Sequence, residues 1–446
     1  MLGFEGILAC NKKSIALSGF NHLTFATMNT PSTKMDRRLW FLIIVASLGY
    51  FVDIFDLILF NVVKYKSFTA LGFTTDQVNS YEISLFNFQM TGMLMGGLIW
   101  GILGDKKGRI KVLFGSILLY SVANICNAFV TSFEGYAFWR FVAGLGLAGE
   151  LGAGITLVTE AMQKDKRGIG TMIIVTFGAL GAVVASFVGK MCDWNVAYIT
   201  GGCLGLVLLL LRAGTYESGM FESTRNKNVE RGNFFMLFKT KERFLKFLSC
   251  ILIGLPVWFF IGVLVALSKY FFKFEGVTTQ NQVSQGVTYA YIGLSIGDLL
   301  CGMSSQYFKS RKKVIFTYLI FSFVLMFVYL YSTSITFEGF KIMSLMVGMA
   351  TGYWALFVTN AAEQFGTNLR STVTNTVPNF VRGAVVPITS LFKYLTAYFV
   401  GAQLILPSPD AVKAAIIVGS ICITLALISL WYIKETFHVD LDYHEV

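Results

Sequence analysis

Several charged residues lie inside long apolar runs of the sequence, where charge is rare. Asp53 and Asp56 stand three positions apart in GYFVDIFDLILFNVV. Arg140 and Glu150 share the run RFVAGLGLAGELG, and Arg382 lies in a later run. A charge at the centre of a bilayer costs at least ~2.5–3.5 kcal/mol unless it meets a partner or a wet cavity. The three carboxylates are therefore candidate proton carriers, and the two arginines are candidate ligands for an anionic substrate.

The depths of these residues predict an ion pair. A spacing of three puts Asp53 and Asp56 on one face of a helix. Asp56 and Arg140 lie seven and six residues from the same end of their runs, so they share a depth. We expect Asp56 or Asp53 to form a switchable pair with Arg140, in which protonation of the acid frees the guanidinium for substrate; the alternative is a permanent structural ion pair. Glu150, about 15 Å further along the helix, is a separate proton-site candidate.

Arg382 lies between Pro378 and Pro387, which predict a locally broken helix lining a cavity. Such an arginine could hold a carboxylate or phosphate through two parallel hydrogen bonds. The alternative is an interfacial arginine whose head group reaches water. Asp298 and Lys393 are further charged residues of the apolar runs, and either could lie near water.

A second set of charged residues marks the ends of the apolar runs. The loop WGILGDKKGRIKV places Asp105 and Arg109 around Gly108, which we expect to adopt a positive φ. The spacing Glu-x6-Arg occurs twice, and the copies are 203 residues apart. We interpret these charges as a gate whose ion pairs close the inner mouth; the alternative is ordinary interfacial charges, because exposed pairs contribute only ~0–1 kcal/mol. The predicted gate residues are Asp105, Arg109, Glu160, Arg167, Glu363 and Arg370.

The composition indicates an integral membrane protein. Of 446 residues, 55% are hydrophobic and only 14% are charged, against roughly 25% charged in soluble proteins. Lys and Arg number 26 in the tails and even-numbered connections but 7 in the odd-numbered ones, so both termini are predicted to be cytoplasmic. The net charge of +11 thus reflects membrane topology rather than nucleic-acid binding. A span needs about 20 mostly apolar residues, and twelve runs qualify: 39–63, 82–104, 111–131, 134–160, 168–190, 195–212, 246–270, 286–307, 313–332, 339–361, 375–403 and 411–433.

The twelve runs predict an all-α membrane fold of two six-helix bundles. The stretch CGMSSQYFKSRKKVIF repeats the glycine and cations of the first basic loop about 200 residues on, but it lacks the acid that stands there as Asp105. Together with the repeated Glu-x6-Arg spacing, this echo predicts a duplicated architecture with a central cavity. The predicted segments are a cytoplasmic tail at 1–38, bundles at 39–212 and 246–434, a cytoplasmic linker at 213–245 and a second tail at 435–446.

No motif for enzymatic or cofactor chemistry stands out. The seven cysteines form no C-x-x-C pair and the three histidines lie in the tails, so we expect no metal site, and proton chemistry falls to carboxylates. Gly144, Gly146 and Gly149 match G-x-G-x-x-G, but they lie in an apolar helix, where small residues serve helix packing. The sequence lacks G-x-x-x-x-G-K-[ST], which excludes a built-in ATPase of that type. We expect no cofactor and no enzyme activity.

The pattern G-x-x-x-D-x-x-G-R-x-K at 101–111 resembles the signature loop of the major facilitator superfamily. RFVAGLGLAGELG resembles the fourth-helix motif of its proton-linked members, and the Asp-x-x-Asp of the first run resembles phosphate and aromatic-acid symporters. The Glu-x6-Arg segments resemble a motif of sugar and organic-acid facilitators, although both lack its usual proline. The resemblance implies the fold of that superfamily and alternating access.

We therefore expect a monomeric secondary transporter in a bacterial inner membrane, and our leading interpretation is a proton symporter of a small organic anion. Three alternatives remain at this point. A sugar or polyol symporter would depend on neutral amides and aromatics such as Asn87, Gln89 and Trp354. An efflux antiporter would export lipophilic compounds, and a non-transporting nutrient receptor would signal through its linker or tails.

Overall fold

The computed structural model describes residues 37–214, 217–225, 229–332, 334–400 and 406–445. Residues 1–36, which make up nearly all of the predicted N-terminal tail, lie outside the described residues, as do short parts of the predicted linker. The described chain is helical without strands, which confirms the predicted all-α class.

Twelve long helices follow one another along the described residues. Eleven of them are long and apolar enough to cross a membrane. The remaining one, α2, is a 33-residue helix between α1 and α3. The helices are α1 Arg37–Ala70, α2 Thr75–Lys107, α3 Arg109–Asn127, α4 Phe133–Ala161, α5 Arg167–Met191, α6 Trp194–Leu211, α7 Lys241–Val265, α8 Thr279–Phe308, α9 Arg311–Tyr331, α10 Phe337–Glu363, α11 Arg370–Val400 and α12 Pro409–Tyr432.

Several helices extend past the apolar runs because polar residues cap and continue them. Thr74 and Gln77 form a capping box at the start of α2, so this helix begins before the predicted position 82. The Thr240 side chain caps α7, which begins at Lys241 inside the predicted linker. Helix α11 begins at Arg370 rather than 375. Hydropathy alone misplaces such boundaries, since capped polar turns are not apolar.

Three helices are interrupted at mid-depth. Helix α4 breaks at 148–149 and α10 breaks at 351–353, again about 203 residues apart. Helix α11 breaks at Ala384, between Pro378 and Pro387, as the prolines predicted. Gly108 has φ 109°, also as predicted, and this conformation lets α2 turn directly into α3.

The first six helices meet the last six closely at one end of the bundle, which we call the tail end because α12 finishes there. Ideal Cβ atoms on Gly101 and Gly104 of α2 would lie 2.8 Å from the Thr372 Cα and 2.0 Å from the Ser371 Oγ of α11. The Thr156 and Thr374 hydroxyls, from α4 and α11, are 2.5 Å apart at the same interface. The two halves are therefore in backbone-level contact at the tail end.

A side chain at Gly101 should push the halves apart at the tail end. We expect Gly101→Val to increase thiol labelling of a cysteine placed at the buried Thr156 by about tenfold, because the branched side chain has no room against α11. Gly135→Val is the control, since the Cβ there meets nothing closer than 3.4 Å. Equal labelling in both variants would contradict this view of the interface.

Candidate transport pathway and gates

Two acids of α1, one turn apart, each form a buried ion pair with an arginine from another helix. Arg140 Nη1 is 3.2 Å from Asp56 Oδ1, and Arg382 Nη2 is 2.9 Å from Asp53 Oδ2. All four side chains are at most 2% exposed. Arg140 therefore takes Asp56 as its partner, one of the two acids that the sequence left open. Asp53 instead reaches across to the other half of the molecule.

The Arg140 pair is enclosed on all sides. Gln89 receives a hydrogen bond from Arg140 Nη2 at 2.5 Å and donates one to Asp56 Oδ2 at 3.3 Å. The rings of Phe60 and Tyr198 lie within 6 Å of the guanidinium carbon. Arg140 lines neither of the two cavities between the helices that are described below. In this structure it is bonded to Asp56 and Gln89 and does not face a space where an anion could bind.

Glu150 lies apart from Arg140, as predicted, but it has a cation of its own. Arg212 binds it with two nitrogens, at 3.0 and 2.5 Å, and the Ser116 hydroxyl donates to it at 2.6 Å. The sequence placed Arg212 at the end of the sixth run and gave it no role. Arg212 can neutralise Glu150 only because the end of α6 lies beside the middle of α4. The local sequence does not predict that arrangement of the two helices.

The Arg382 pair faces a small pocket of about 20 Å³ between the halves. Arg382 Nε and the indole N–H groups of Trp258 and Trp354 are buried donors that have no hydrogen-bond partner among the described residues. The second oxygen of Asp53 is also without one. Trp258, Trp354 and Arg382 all line the pocket, so its wall combines a cation with aromatic side chains. The pocket is lined by Tyr50, Ile54, Val257, Trp258, Ile261, Tyr291, Leu294, Trp354 and Arg382.

A larger cavity of about 240 Å³ adjoins this pocket and shares Trp258, Ile261 and Tyr291 with it. It extends to the end of the bundle opposite the tail end, which we call the far end, where its lining residues Lys269 and Lys393 are exposed. The molecule is thus in a state that is open at the far end and closed at the tail end.

Asp105 caps a helix of the other half at the tail end. Its carboxylate accepts hydrogen bonds from the Ser371 and Thr372 amides at 3.0 and 2.8 Å, and from the Thr372 hydroxyl at 2.7 Å. A carboxylate at a helix N-terminus satisfies unpaired N–H groups and complements the helix dipole. This contact explains why α11 begins earlier than its apolar run.

Four of the six predicted gate residues form one buried cluster. Arg109 lies 3.5 Å from Asp105 and 2.8 Å from Glu160, and Glu160 also binds Arg370 of the other half at 2.9 Å. The Ser218 hydroxyl, from the linker, donates to the second oxygen of Glu160. The cluster is fully buried, so the alternative of exposed interfacial charges does not describe it.

The other two predicted gate residues have different partners. Glu363 pairs with Arg311 at 3.3 Å rather than with Arg370. Arg167 donates to the carbonyls of Thr159 and Val439, each at 3.0 Å, and no ion pair with a carboxylate is found for it in the described part of the chain. Arg311 belongs to the faded echo of the basic loop, at the position that corresponds to a cation of the first loop, so the repeat indicates a partner for Glu363.

The C-terminal segment, 435–445, lies across the closed tail end. Arg370 donates to the Leu441 carbonyl at 2.6 Å, and Asn368 exchanges two hydrogen bonds of 2.9 Å with the backbone of Glu445. The Leu441 side chain is fully buried. The sequence analysis predicts only a cytoplasmic tail at 435–446, because a short segment without hydrophobic periodicity does not indicate where it docks.

Glu435 anchors this segment to α9. It accepts hydrogen bonds from the Ser310 hydroxyl and from the Arg311 and Lys312 amides, the latter two at 2.8 and 3.2 Å. Burial raises the pKa of Glu435, but these hydrogen bonds outweigh it and hold the pKa below its usual value. The carboxylate is therefore ionised at neutral pH, and its cap would weaken only as the pH falls below about 4.5, the ordinary value for this group.

The chain is similar to transporters along most of its length. The family model described as Major Facilitator Superfamily matches residues 39–389. A putative niacin/nicotinamide transporter of Bacillus subtilis is 35% identical over 140 residues, which cover 30% of this chain and 35% of that protein. A 3-(3-hydroxy-phenyl)propionate transporter of Escherichia coli is 31% identical over 141 residues, or 31% of this chain and 35% of that protein.

The fold is also that of a solved transporter. The structure of the proton:xylose symporter XylE with 6-bromo-6-deoxy-D-glucose superposes with a TM-score of 0.73 at 15% identity, covering 91% of this chain and 98% of that chain. At this identity the likeness concerns the fold alone. With the family match across most of the chain, it shows that the protein belongs to the major facilitator superfamily and is a membrane transporter of small solutes rather than an enzyme.

Proposed function

We propose that the protein is a proton symporter for a small organic anion, which works as a monomer by alternating access in a bacterial plasma membrane with its termini in the cytoplasm. The observation that carries this proposal is the position of Arg382. This arginine lines the pocket between the halves, and its charge is balanced by one carboxylate, that of Asp53.

The charges of this pair supply a coupling mechanism. Arg382 and Asp53 together are neutral, and an anion that bound Arg382 while Asp53 remained ionised would leave an extra negative charge in a buried place. If a proton arrives on Asp53, the guanidinium is released to the anion and the site stays neutral. One proton therefore accompanies one negative charge, and the loaded pocket is no more charged than the empty one.

The lining of the pocket suits an anion that carries a ring, for which the adjoining cavity of about 240 Å³ supplies the room. Tyr50, Tyr291 and Trp354 offer flat apolar surface beside Arg382, and the unpartnered indole N–H of Trp354 can donate to a carboxylate. Two of the similar transporters are named for niacin/nicotinamide and for 3-(3-hydroxy-phenyl)propionate, and niacin and the propionate are carboxylates that carry an aromatic ring. The sugar alternative loses support because Gln89, an amide that it would need, is bonded to Arg140 and Asp56.

The test of this function is uptake of labelled nicotinate and benzoate into proteoliposomes. We expect an acidic exterior to drive accumulation above that in protein-free vesicles, with neutral nicotinamide showing no such response. Arg382→Gln should weaken binding of both acids roughly 10- to 100-fold, the loss expected for a charge-assisted hydrogen bond. Proton coupling would be wrong if uptake did not respond to the pH gradient.

The two aspartates separate coupling from structure. Asp53→Asn imitates the protonated acid, so we expect acid binding that no longer strengthens as the pH falls, together with loss of gradient-driven accumulation. Asp56→Asn is the matched control and should keep the pH dependence, because its partner Arg140 does not line the pocket. If pH dependence disappeared with Asp56 instead, the Arg140 pair would be the coupling site.

Asp105 should control opening rather than binding, since it contacts α11 and not the pocket. We expect Asp105→Asn to slow transport at least tenfold while changing equilibrium binding by less than about threefold, because one charge-assisted cap is weakened in one state alone. Lys107→Gln, an exposed change in the same loop, is the control. A folded Asp105→Asn protein that lost binding would contradict this role.

The C-terminal segment should stabilise the closed tail end. We expect deletion of residues 435–446 to raise labelling of a cysteine at the buried Thr156 by about tenfold, because Arg370, Asn368 and Glu363 lose their partners there. Asp440→Asn is the control, since its pair with Lys164 is exposed and should matter little. Unchanged labelling after deletion would show that the segment only covers a mouth that is closed without it.

A further inference from the structure

Asp298 of α8 is a buried carboxyl group that forms no ion pair within the described part of the chain. Its side chain is 0% exposed, so bulk water does not satisfy it. Its Oδ1 accepts a hydrogen bond from the Ala355 amide of α10 at 2.8 Å, and its Oδ2 has no hydrogen-bond partner among the described residues. Asp53, Asp56 and Glu150, in contrast, each meet an arginine. Asp298 is therefore held by a helix backbone and not by an opposite charge.

This hydrogen bond lies at the break of α10. The first part of the helix ends at Ala350 and the second begins at Trp354. A break frees carbonyls before it and amides after it, and within a membrane these groups need partners from the protein. The Ser322 hydroxyl of α9 donates to the Ala350 carbonyl at 2.9 Å. Tyr353, which precedes the second part, makes no side-chain cap, so Asp298 supplies the cap from α8.

Helices α8 and α10 are in close backbone contact beside the break. An ideal Cβ on Gly352 would lie 2.5 Å from the Asp298 nitrogen, and one on Gly297 would lie 2.9 Å from the Met349 Cα. The Tyr318 hydroxyl of α9 donates to the Gly297 carbonyl at 3.0 Å, which ties α9 to the same point. Contact this close leaves little freedom between the helices, so it holds the Asp298 carboxyl group against the first turn after the break.

The first residue after the break is Trp354, which lines the small pocket together with Arg382. The Trp354 ring lies 6.0 Å from the guanidinium carbon of Arg382 and 5.2 Å, centre to centre, from the Phe357 ring. The direction of this ring follows the backbone of the first turn, in which Asp298 bonds the next amide. Asp298 lines neither the pocket nor the larger cavity. It can therefore act on the pocket through the position of Trp354.

The cap does not require a charge. An isolated ionised carboxylate in an apolar interior is strongly unfavourable. The titratable side chains that interact with Asp298 are Tyr50 of α1, Tyr318 of α9 and Cys301 of α8, and none of them is a cation. A neutral acid keeps a carbonyl oxygen that accepts the amide hydrogen bond, and asparagine offers the same acceptor in the same shape.

We propose that Asp298 is a positioning residue of the substrate pocket, which acts as an uncharged hydrogen-bond acceptor to fix the break of α10 and thereby the ring of Trp354 beside Arg382. The inference rests on the proposed function for the identity of the ligand that this ring contacts, whereas the placement of the ring does not depend on it. Loss of the acceptor changes the shape of the pocket and leaves proton coupling, which we assign to Asp53, in place.

The position of Trp354 can be measured without a substrate. Protein labelled with 5-fluorotryptophan gives a fluorine NMR signal for each tryptophan, and Trp354→Phe identifies the signal of Trp354. We expect Asp298→Ala to shift or split that signal, because an uncapped first turn lets the ring take other positions. Ser295→Ala is the matched control, since Ser295 lies one turn away on α8 and bonds the Tyr291 carbonyl of its own helix. A Trp354 signal unchanged by Asp298→Ala would overturn the proposal.

Asp298→Asn separates the acceptor from the charge. We expect it to keep the Trp354 signal, the affinity for nicotinate and the dependence of that affinity on pH. Asp298→Ala should weaken binding of nicotinate and benzoate about five- to tenfold, the loss expected when a helix cap is removed. If the alanine variant folds poorly, Asp298→Ser gives the same comparison, because its shorter side chain ends before the Ala355 amide.

Two results with the asparagine variant would contradict the uncharged cap. If it behaved like Asp298→Ala, the charge would be required. If it bound nicotinate normally but without dependence on pH, Asp298 would be a proton carrier instead of a positioning residue.

The two proposals fail in different ways. A Trp354 signal that depends on Asp298, in a protein that binds neither nicotinate nor benzoate, would keep the positioning role and reject the proposed substrate class. Proton-driven uptake of these acids, with a Trp354 signal and an affinity that Asp298→Ala leaves unchanged, would keep the symporter and reject the positioning role.

Discussion

The rest of the structure depends on one constraint, which is that charge inside an apolar bundle needs a partner. Asp53, Asp56 and Glu150 each meet an arginine, and all three pairs are buried. Breaking such a pair leaves an uncompensated charge and is strongly unfavourable, whereas exchanging one partner for another of equal charge is not. In the proposed transport cycle, this rule requires an anion to enter together with a proton.

At the closed tail end, buried carboxylates are also partnered, but by the backbone amides of helix N-termini as well as by arginines. Asp105 and Glu435 both place a carboxylate on the N-terminus of a helix, α11 and α9 respectively. Glu217 of the linker does so at α3, through the Ile110 amide at 3.2 Å. The amides of a helix N-terminus can be rehydrated when the contact opens, which a buried guanidinium pair resists. In the proposed transport cycle, the Asp105 cap and the Glu160–Arg370 pair both join the halves at the tail end and would separate together.

The internal duplication is visible in the pairs as well as in the sequence. Arg109 with Glu160 is repeated as Arg311 with Glu363, each joining the start of a third helix to the end of a fourth. The halves differ in the basic loop that precedes the third helix of each. The acid at position 105 has no counterpart in the second copy, so the first half alone supplies the cap that crosses to the other half. Arg370 crosses in the opposite direction to Glu160.

The sequence by itself determined the membrane class, the helical fold, the duplication and the charged residues that lie inside the apolar runs, because hydropathy, spacing and the cost of a buried charge are local properties. It also placed Arg140 and Asp56 at one depth, since depth follows from counting residues along a helix. Which acid meets which arginine was decided only by tertiary structure: Asp53 meets Arg382 across 329 positions of sequence, and Arg212 and Arg311 take the partners that counting could not assign. Rotation of each helix about its axis, and the docking of an aperiodic C-terminal segment, are set by packing among all twelve helices, and no single stretch of sequence encodes them.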